Sequence, residues 1–312
     1  MQRILLKVLT FVVALGILFG SCSKSNNSAS PATDLTSESY VAQDLTNFTS
    51  ACNEIAEEAD EVASYLPSTT GSPVKGATLD SLGNGIYVLA YTGLGTCGKT
   101  RKGWDSLFVI GTWNNKGSYI ISKFNFTITN SNTVGDTMRL AGIDTIMNEG
   151  GGNLASLISG GVTSLTTYHY GTARVTFSNG QSNVWHYNKK NVRKFSGSQA
   201  LGTGVVTSTI TGLNNSSYPG VEVWGINRNG EQFYAEIASY DALSYSYNTG
   251  SFCTHGWPYS GIYFHRGILS NLQVTYGVTG SGVILQDIIC PHAYMLNWTY
   301  LSVSNQQALA YF

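Results

Sequence analysis

The sequence predicts a mainly β protein: a large antiparallel meander, either a β-sandwich or a curled, partly open barrel, with one amphipathic helix at its N-terminal side. Three observations predict it. From Ser72 onward, apolar and polar residues alternate with a period of two in segment after segment. Asn179-Gly180 and Asn229-Gly230 sit between such segments, where Asn-Gly is the strongest short-range hairpin signal. The composition trades charge for strand and turn formers. Only 11% of residues are charged, against the ~25% of an ordinary globular chain, while Gly (35) and Tyr (19) are abundant.

The chain opens with MQRILLKVLTFVVALGILFGSC. Arg3 and Lys7 form a basic start, and Val8 to Phe19 an apolar run too short to span a bilayer, which takes about 20 apolar residues. Residues 1–21 therefore read as a signal peptide. Gly20, Ser21 and Cys22 complete what looks like a lipobox, so Cys22 is the expected acylation site. Two or three acyl chains would hold the protein to a membrane essentially permanently. Residues 22–36 are small and polar and read as a flexible tether.

Residues 37–67 read as the helix. Val41, Leu45, Phe48, Cys52, Ile55, Ala59, Val62 and Leu66 recur at spacings of four and three, which gives one apolar stripe. Thr36 or Ser37 serves as N-cap and Pro67 ends the helix. Glu54, Glu57, Glu58, Asp60 and Glu61 fall on or near the outer face, where acids ordinarily only solubilise a helix.

Residues 72–312 read as the β domain. GIYVLAYT (85–92), SLFVIGTW (106–113) and SYIISKFNFTIT (118–129) lead, followed by TSLTTYHYG (163–171), ARVTF (173–177) and NVWHY (183–187). GVVTSTIT (204–211), VEVWGIN (221–227), QFYAEIASY (232–240), GIYFHR (261–266) and LQVTYGV (272–278) complete the strands. Strand follows strand without a helical crossover, so the sheet must be largely antiparallel. The Gly-rich stretch 148–161 reads as a long loop with a short helical turn.

Composition also bounds the partners. A net charge of −1 without a basic stripe argues against nucleic acid and against electrostatic adhesion to anionic lipid. The membrane is reached through the anchor alone, and a protein or glycan partner is left open. The sequence implies no cofactor.

Besides Cys22 there are four cysteines, Cys52, Cys97, Cys253 and Cys290, an even number that points to two disulfides in an oxidising compartment. Three pairings are open. Cys52–Cys97 and Cys253–Cys290 are favoured because each closes a moderate loop, for roughly 3–4 kcal/mol each in the loop-entropy model.

The order helix, GLGTCGKTRKGW (93–104), KGSYIISKFNFTIT (116–129), RVTFSNGQSNVW (174–185), GINRNGEQFYAEI (225–237) and SFCTHGWPYSGI (251–262) resembles a family of uncharacterised Bacteroidetes-type exported lipoproteins. Cys97, Thr100, Arg101, Gly103, Asn227, Arg228, Asn229, Gly230 and Cys253 stand in matching order. The chain departs from that pattern in placing Cys52 inside the helix and Cys290 in DIICPHAY. The resemblance implies an address and a fold but no chemistry.

Candidate chemistry is sparse. Cys253-Thr-His255 and Cys290-Pro-His292 place two C-x-H pairs that could ligate zinc, although a Cys253–Cys290 disulfide would remove both thiolates, and the resemblance favours the disulfide. There is no G-x-S-x-G elbow. Most tryptophans fit a sheet core, but Trp257 and Tyr259 lie in a turn and could stack on a ligand. The expected role is a non-enzymatic binding or structural lipoprotein of the envelope. The alternatives are a lipid or lipoprotein carrier with a half-barrel cavity, and an envelope glycan hydrolase. Ser23 after Cys22 points to the outer membrane, with the periplasmic side favoured.

Overall fold

The computed structural model describes residues 37–64, 76–93, 99–130, 137–198, 203–213, 220–248, 258–267, 270–284, 293–300 and 303–310. Helix α1 spans Ser37–Ser64. It is followed by β1 (Ala77–Gly83), β2 (Ile86–Thr92), β3 (Lys99–Ile110), β4 (Tyr119–Asn130) and β5 (Thr137–Asn148). A short helix α2 (Leu154–Ile158) precedes β6 (Leu165–Thr176), β7 (Ser182–Ser198), β8 (Thr203–Gly212), β9 (Val221–Ile226) and β10 (Gln232–Ile237). The last strands are β11 (Leu243–Asn248), β12 (Gly261–Gly267), β13 (Ser270–Val278), β14 (Ala293–Tyr300) and β15 (Val303–Ala310). They form one antiparallel sheet of fifteen strands that does not close into a barrel.

The strand order is β1-β2-β3-β4-β5-β6-β7-β9-β10-β12-β13-β14-β15. The long strand β7 makes the sheet fork. Its Trp185–Tyr187 portion pairs with β9, while Lys189–Ser198 pairs with β8, which in turn holds β11.

Local chemistry sets the hairpins. The β6–β7 and β9–β10 turns each end on a left-handed glycine, Gly180 (φ 83°) and Gly230 (φ 80°). In both, the glycine N–H donates to the carbonyl three residues back, so these are type I turns closed by a left-handed residue. The β1–β2 turn is the tighter type I′: Asn84 (φ 52°) and Gly85 (φ 75°) are both left-handed. That Asn-Gly signal, and strand β1 before it, are additions to the sequence reading. So are β5, β11, β14 and β15. The segments 163–171 and 173–177 are one strand, β6, because Gly171 continues it. A Cβ at Gly171 would sit 2.1 Å from the Tyr187 ring, so the missing side chain makes room for the tyrosine. The predicted helical turn in 148–161 is α2, capped by Asn153 and Ser156 in a reciprocal capping box.

The sheet curls around α1. Leu45, Phe48, Ala51, Ile55 and Ala59 have no exposure at all, and Phe48 meets the Trp185 and Tyr187 rings edge-on at 4.9 and 5.6 Å. The opposite face of the helix is covered as well, through polar groups. Arg228, in the β9–β10 turn, makes a two-pronged pair with Asp44 and lies 4.8 Å over the Tyr40 ring. Thr46 shares a 3.1 Å hydrogen bond with Tyr276 of β13, and Ser39 donates to Gln307 of β15 at 3.2 Å. Lys99 of β3 pairs with Glu54 at 3.0 Å and also donates to Ser50. Arg101 binds Glu58, which also accepts from Tyr91 at 2.7 Å. Asp60 takes Arg193 of β7 at 2.9 Å and the Trp113 indole N–H.

Two expectations are corrected here. Glu54, Glu58 and Asp60 are not a solvated outer face; their side chains are 15%, 12% and 1% exposed and are neutralised by inward-pointing strand cations. Cys52 is a free thiol, not half of a disulfide with Cys97. It is buried, and burial pushes its pKa far up against a smaller opposing effect of Lys189. Cys97 itself, and residues 65–67 at the predicted helix end, lie outside the described residues.

Breaking one of these pairs strands a buried charge. Arg228→Ala is expected to cost about 3–5 kcal/mol in urea denaturation, while the double variant Asp44→Leu/Arg228→Met recovers most of that. An additive loss in the double variant would show that the pair is not coupled. A second prediction concerns Asp105, fully buried in β3 and accepting from Ser122 at 2.8 and 2.9 Å. Burial raises its pKa from 3.8 to about 8, with the Ser122 bond opposing. The folded state thus holds a proton that the unfolded chain releases, so this contribution is intact below pH 3.8 and is lost as pH rises toward 8. Asp105→Asn is expected to flatten that slope and to be the more stable protein at pH 8, by a few kcal/mol. A wild-type stability that does not fall over this interval would refute the assignment.

Candidate binding groove

The interior carries more polar chemistry than the charge pairs, and it is sealed. On β5 and β6, Asp144, His169 and Thr167 form a chain: His169 Nδ1 lies 3.3 Å from Asp144 Oδ2, and its Nε2 lies 2.9 Å from Thr167 Oγ1. All three are at most 1% exposed. Burial lowers the His169 pKa despite Asp144, so the ring stays neutral and the chain is a strut across the sheet. Glu222 and Asp105 are equally enclosed. None of these acids can meet a solute without the sheet opening.

The outer face is different. A groove of about 540 Å³ runs across β12, β13, β14 and β15, within the ~300–1,000 Å³ typical of ligand sites. Register builds its floor. Phe264, Gln273, Asn297 and Gln306 are successive cross-strand partners and form one row. Arg266, Asn271, Thr299 and Ser304 form the next. The alternating residues Leu272 and Trp298 turn inward and are 2% and 6% exposed. The period of two thus puts core and groove on opposite faces of the same strands.

The electrostatics are neutral. Arg266 reaches Glu236 through Nε at 2.8 Å and Nη2 at 2.6 Å, and its guanidinium lies 5.1 Å over the Phe264 ring. The rest is amide and hydroxyl. Gln273 donates to Thr275 at 3.3 Å, Gln306 to Met295 Sδ at 3.0 Å, and Thr299 shares a 3.1 Å bond with Ser304. Behind the groove, His265 stacks on Phe233 at 4.7 Å. Burial drives its pKa down to about 4, with Glu231 opposing, so it adds no charge. The Arg266 row continues along the outer face through Tyr234 and Trp224, its successive partners, to His186. His186 and Trp224 stack at 5.5 Å. With strands about 4.8 Å apart, the row from His186 to Ser304 is an extended aromatic-to-amide strip.

Of the residues singled out in the sequence, Tyr259 is half-buried, its N–H donates to the Ser244 carbonyl at 2.8 Å, and it does not line the groove. Cys22, Cys97, Cys253, Cys290, His255, His292 and Trp257 lie outside the described residues. Trp113, Trp185 and Trp298 are core residues, whereas Trp104 is 42% exposed. The groove residues were missed because their only signal is amides at alternate positions of strands whose register the sequence does not state.

No protein-family model, no curated protein and no solved structure matches the chain.

Proposed function

We propose that the protein is a lipid-anchored protein of the cell envelope that binds neutral glycan, without transforming it, in the outer-face groove. The observation that carries the reading is the two-row ladder of amide and hydroxyl side chains whose one cation is neutralised by Glu236. Asn and Gln offer a donor and an acceptor on each side chain, the pairing that vicinal hydroxyls need. Phe264, and Tyr234 and Trp224 beyond it, supply apolar faces for sugar rings. An anionic ligand would want a free cation, and an apolar one a greasy floor.

The choice against hydrolysis rests on acid placement. Hydrolysis of glycosides takes two carboxyls across the scissile bond. Among the described residues, the carboxyl beside the groove, Glu236, is tied to Arg266, and Asp105, Asp144 and Glu222 face the sealed interior. The carrier alternative needs a void between helix and sheet, a space that α1 side chains fill in the described residues. The anchor rests on the lipobox resemblance around Cys22, and Ser23 favours the outer membrane with the domain in the periplasm.

Titration of the full chain with neutral oligosaccharides by calorimetry should show saturable binding with the sugar recovered intact. Gln273→Ala and Asn297→Ala should each weaken it about tenfold, or about 1.4 kcal/mol, the scale of one or two hydrogen bonds. Affinity unmoved by both variants would remove the groove from the reading, and cleaved sugar would make the protein a hydrolase. Separately, cells fed labelled palmitate should label the wild-type chain but not Cys22→Ser, and the variant should leave the membrane fraction. Label retained in the variant would eliminate the anchor.

A further inference from the structure

One buried cluster, independent of the groove, brings an amine, an amide and a carboxyl together. Asn53 of α1, Lys189 of β7 and Glu222 of β9 meet where the helix crosses the sheet, at 2%, 0% and 1% exposure. Lys189 Nζ donates to Asn53 Oδ1 at 2.5 Å and stands 3.6 Å from Glu222 Oε1. The amine nitrogen is therefore held against the side-chain carbonyl of an amide, whose carbon is one bond further on. Proximity of this kind is what an attack on the amide carbon requires. The Tyr245 hydroxyl lies within reach of Asn53, and the Tyr263 hydroxyl within reach of Glu222. The surroundings are buried and aromatic: Tyr187, Tyr245 and Tyr263 are each at most 2% exposed.

We propose that Lys189 and Asn53 join in an intramolecular isopeptide bond, formed by the chain itself with Glu222 as the proton carrier. In the step, the Lys189 ammonium passes a proton to the Glu222 carboxylate. The freed lone pair adds to Asn53 Cγ, and the new Nζ–Cγ bond pushes the carbonyl electrons onto Oδ1. Glu222 then protonates Nδ2 and takes the second proton from Nζ. The carbonyl re-forms, the Cγ–Nδ2 bond breaks, and ammonia departs, carrying off the proton left on Glu222 as ammonium. An ammonium and a primary amide become a secondary amide and an ammonium ion, and nothing is oxidised or reduced. Burial favours the neutral carboxyl that this sequence needs and raises the Glu222 pKa, against the opposing charge of Lys189. The bond would tie α1 to β7 across 136 residues of chain.

Tryptic peptide mapping of the full chain tests this. Asn53 lies in the peptide 25–75, and Lys189 in 175–190, because acylated Lys189 is no longer a cleavage site. The expected species is the two peptides joined, lighter than their sum by one ammonia. In Glu222→Gln the peptides should separate, with circular dichroism unchanged. Wild-type peptides recovered apart, with trypsin cutting after Lys189 and Asn53 intact, would overturn the bond. Full linkage in Glu222→Gln would overturn the role of Glu222, and loss of water mapped to Glu222 would overturn the choice of Asn53. Should the variant fail to fold, the wild-type map decides alone.

Discussion

Everything in this fold depends on enclosing an acidic helix. Every charged residue of α1 is Asp or Glu. Glu54 and Glu58, and Glu57 and Glu61, are like charges at i,i+4, which destabilise an isolated helix. They also fall in its C-terminal half, where the helix dipole disfavours anions. Left alone, this helix would be unstable in water. The cations it lacks stand on the sheet and its β9–β10 turn, at Lys99, Arg101, Arg193 and Arg228, all turned inward. Such residues would be intolerable on the concave face of an empty sheet. Neither half is a plausible structure without the other, so helix and sheet should form as one cooperative unit.

That constraint explains why the sheet curls without closing. A closed barrel would have to fit its radius to the helix all the way round. An open sheet with a fork at β7 adapts strand by strand, turning apolar residues to Phe48 and Ile55 and cations to the acids. It also divides the labour of the two faces. Inward positions are consumed by matching α1, so they cannot serve a ligand. Outward positions are under no such demand, and from β13 to β15 they present amides in register across three strands.

The elements that depend on local chemistry were legible. The period of two marked most strands, and Asn179-Gly180 and Asn229-Gly230 marked their turns, since a left-handed residue is a local requirement. β5 was not legible because Gly142 and Asp144 break its apolar alternation. Asp144 breaks it for a reason that lies in another strand, its contact with His169. The acids of α1 were misread for the same cause. Asp44 finds Arg228 across 184 residues and Asp60 finds Arg193 across 133, distances at which no window of sequence shows a partner. A clue was present nevertheless: Lys99 with Arg101, and Lys189 with Arg193, occupy same-face positions of strands that also turn Leu107, and Trp185 and Tyr187, into the core. Paired cations on a core face demand buried anions, and α1 was the one acidic segment available. Cys52 was given a partner on grounds of compartment, but a helix residue packed against Tyr187 has no need of one. The groove needed pairing register as well as pattern, and register is a property of the folded sheet.

Burial also separates Lys189 from the inward arginines. Arg228, Arg193 and Arg101 are guanidiniums, which hold their charge under burial and make forked bonds to carboxylates. A lysine in the same position is a poorer ion-pair partner, and the other inward lysine, Lys99, is held directly by the Glu54 carboxylate at 3.0 Å. The neighbour of Lys189 at 2.5 Å is the amide of Asn53, not a carboxylate, while its carboxylate stands further off at 3.6 Å. A site selected for charge neutralisation alone would have these two distances the other way round. Joining Lys189 to Asn53 would remove the need to bury that ammonium, leave Glu222 free to stay neutral, and convert a hydrogen bond between helix and sheet into a contact that cannot dissociate.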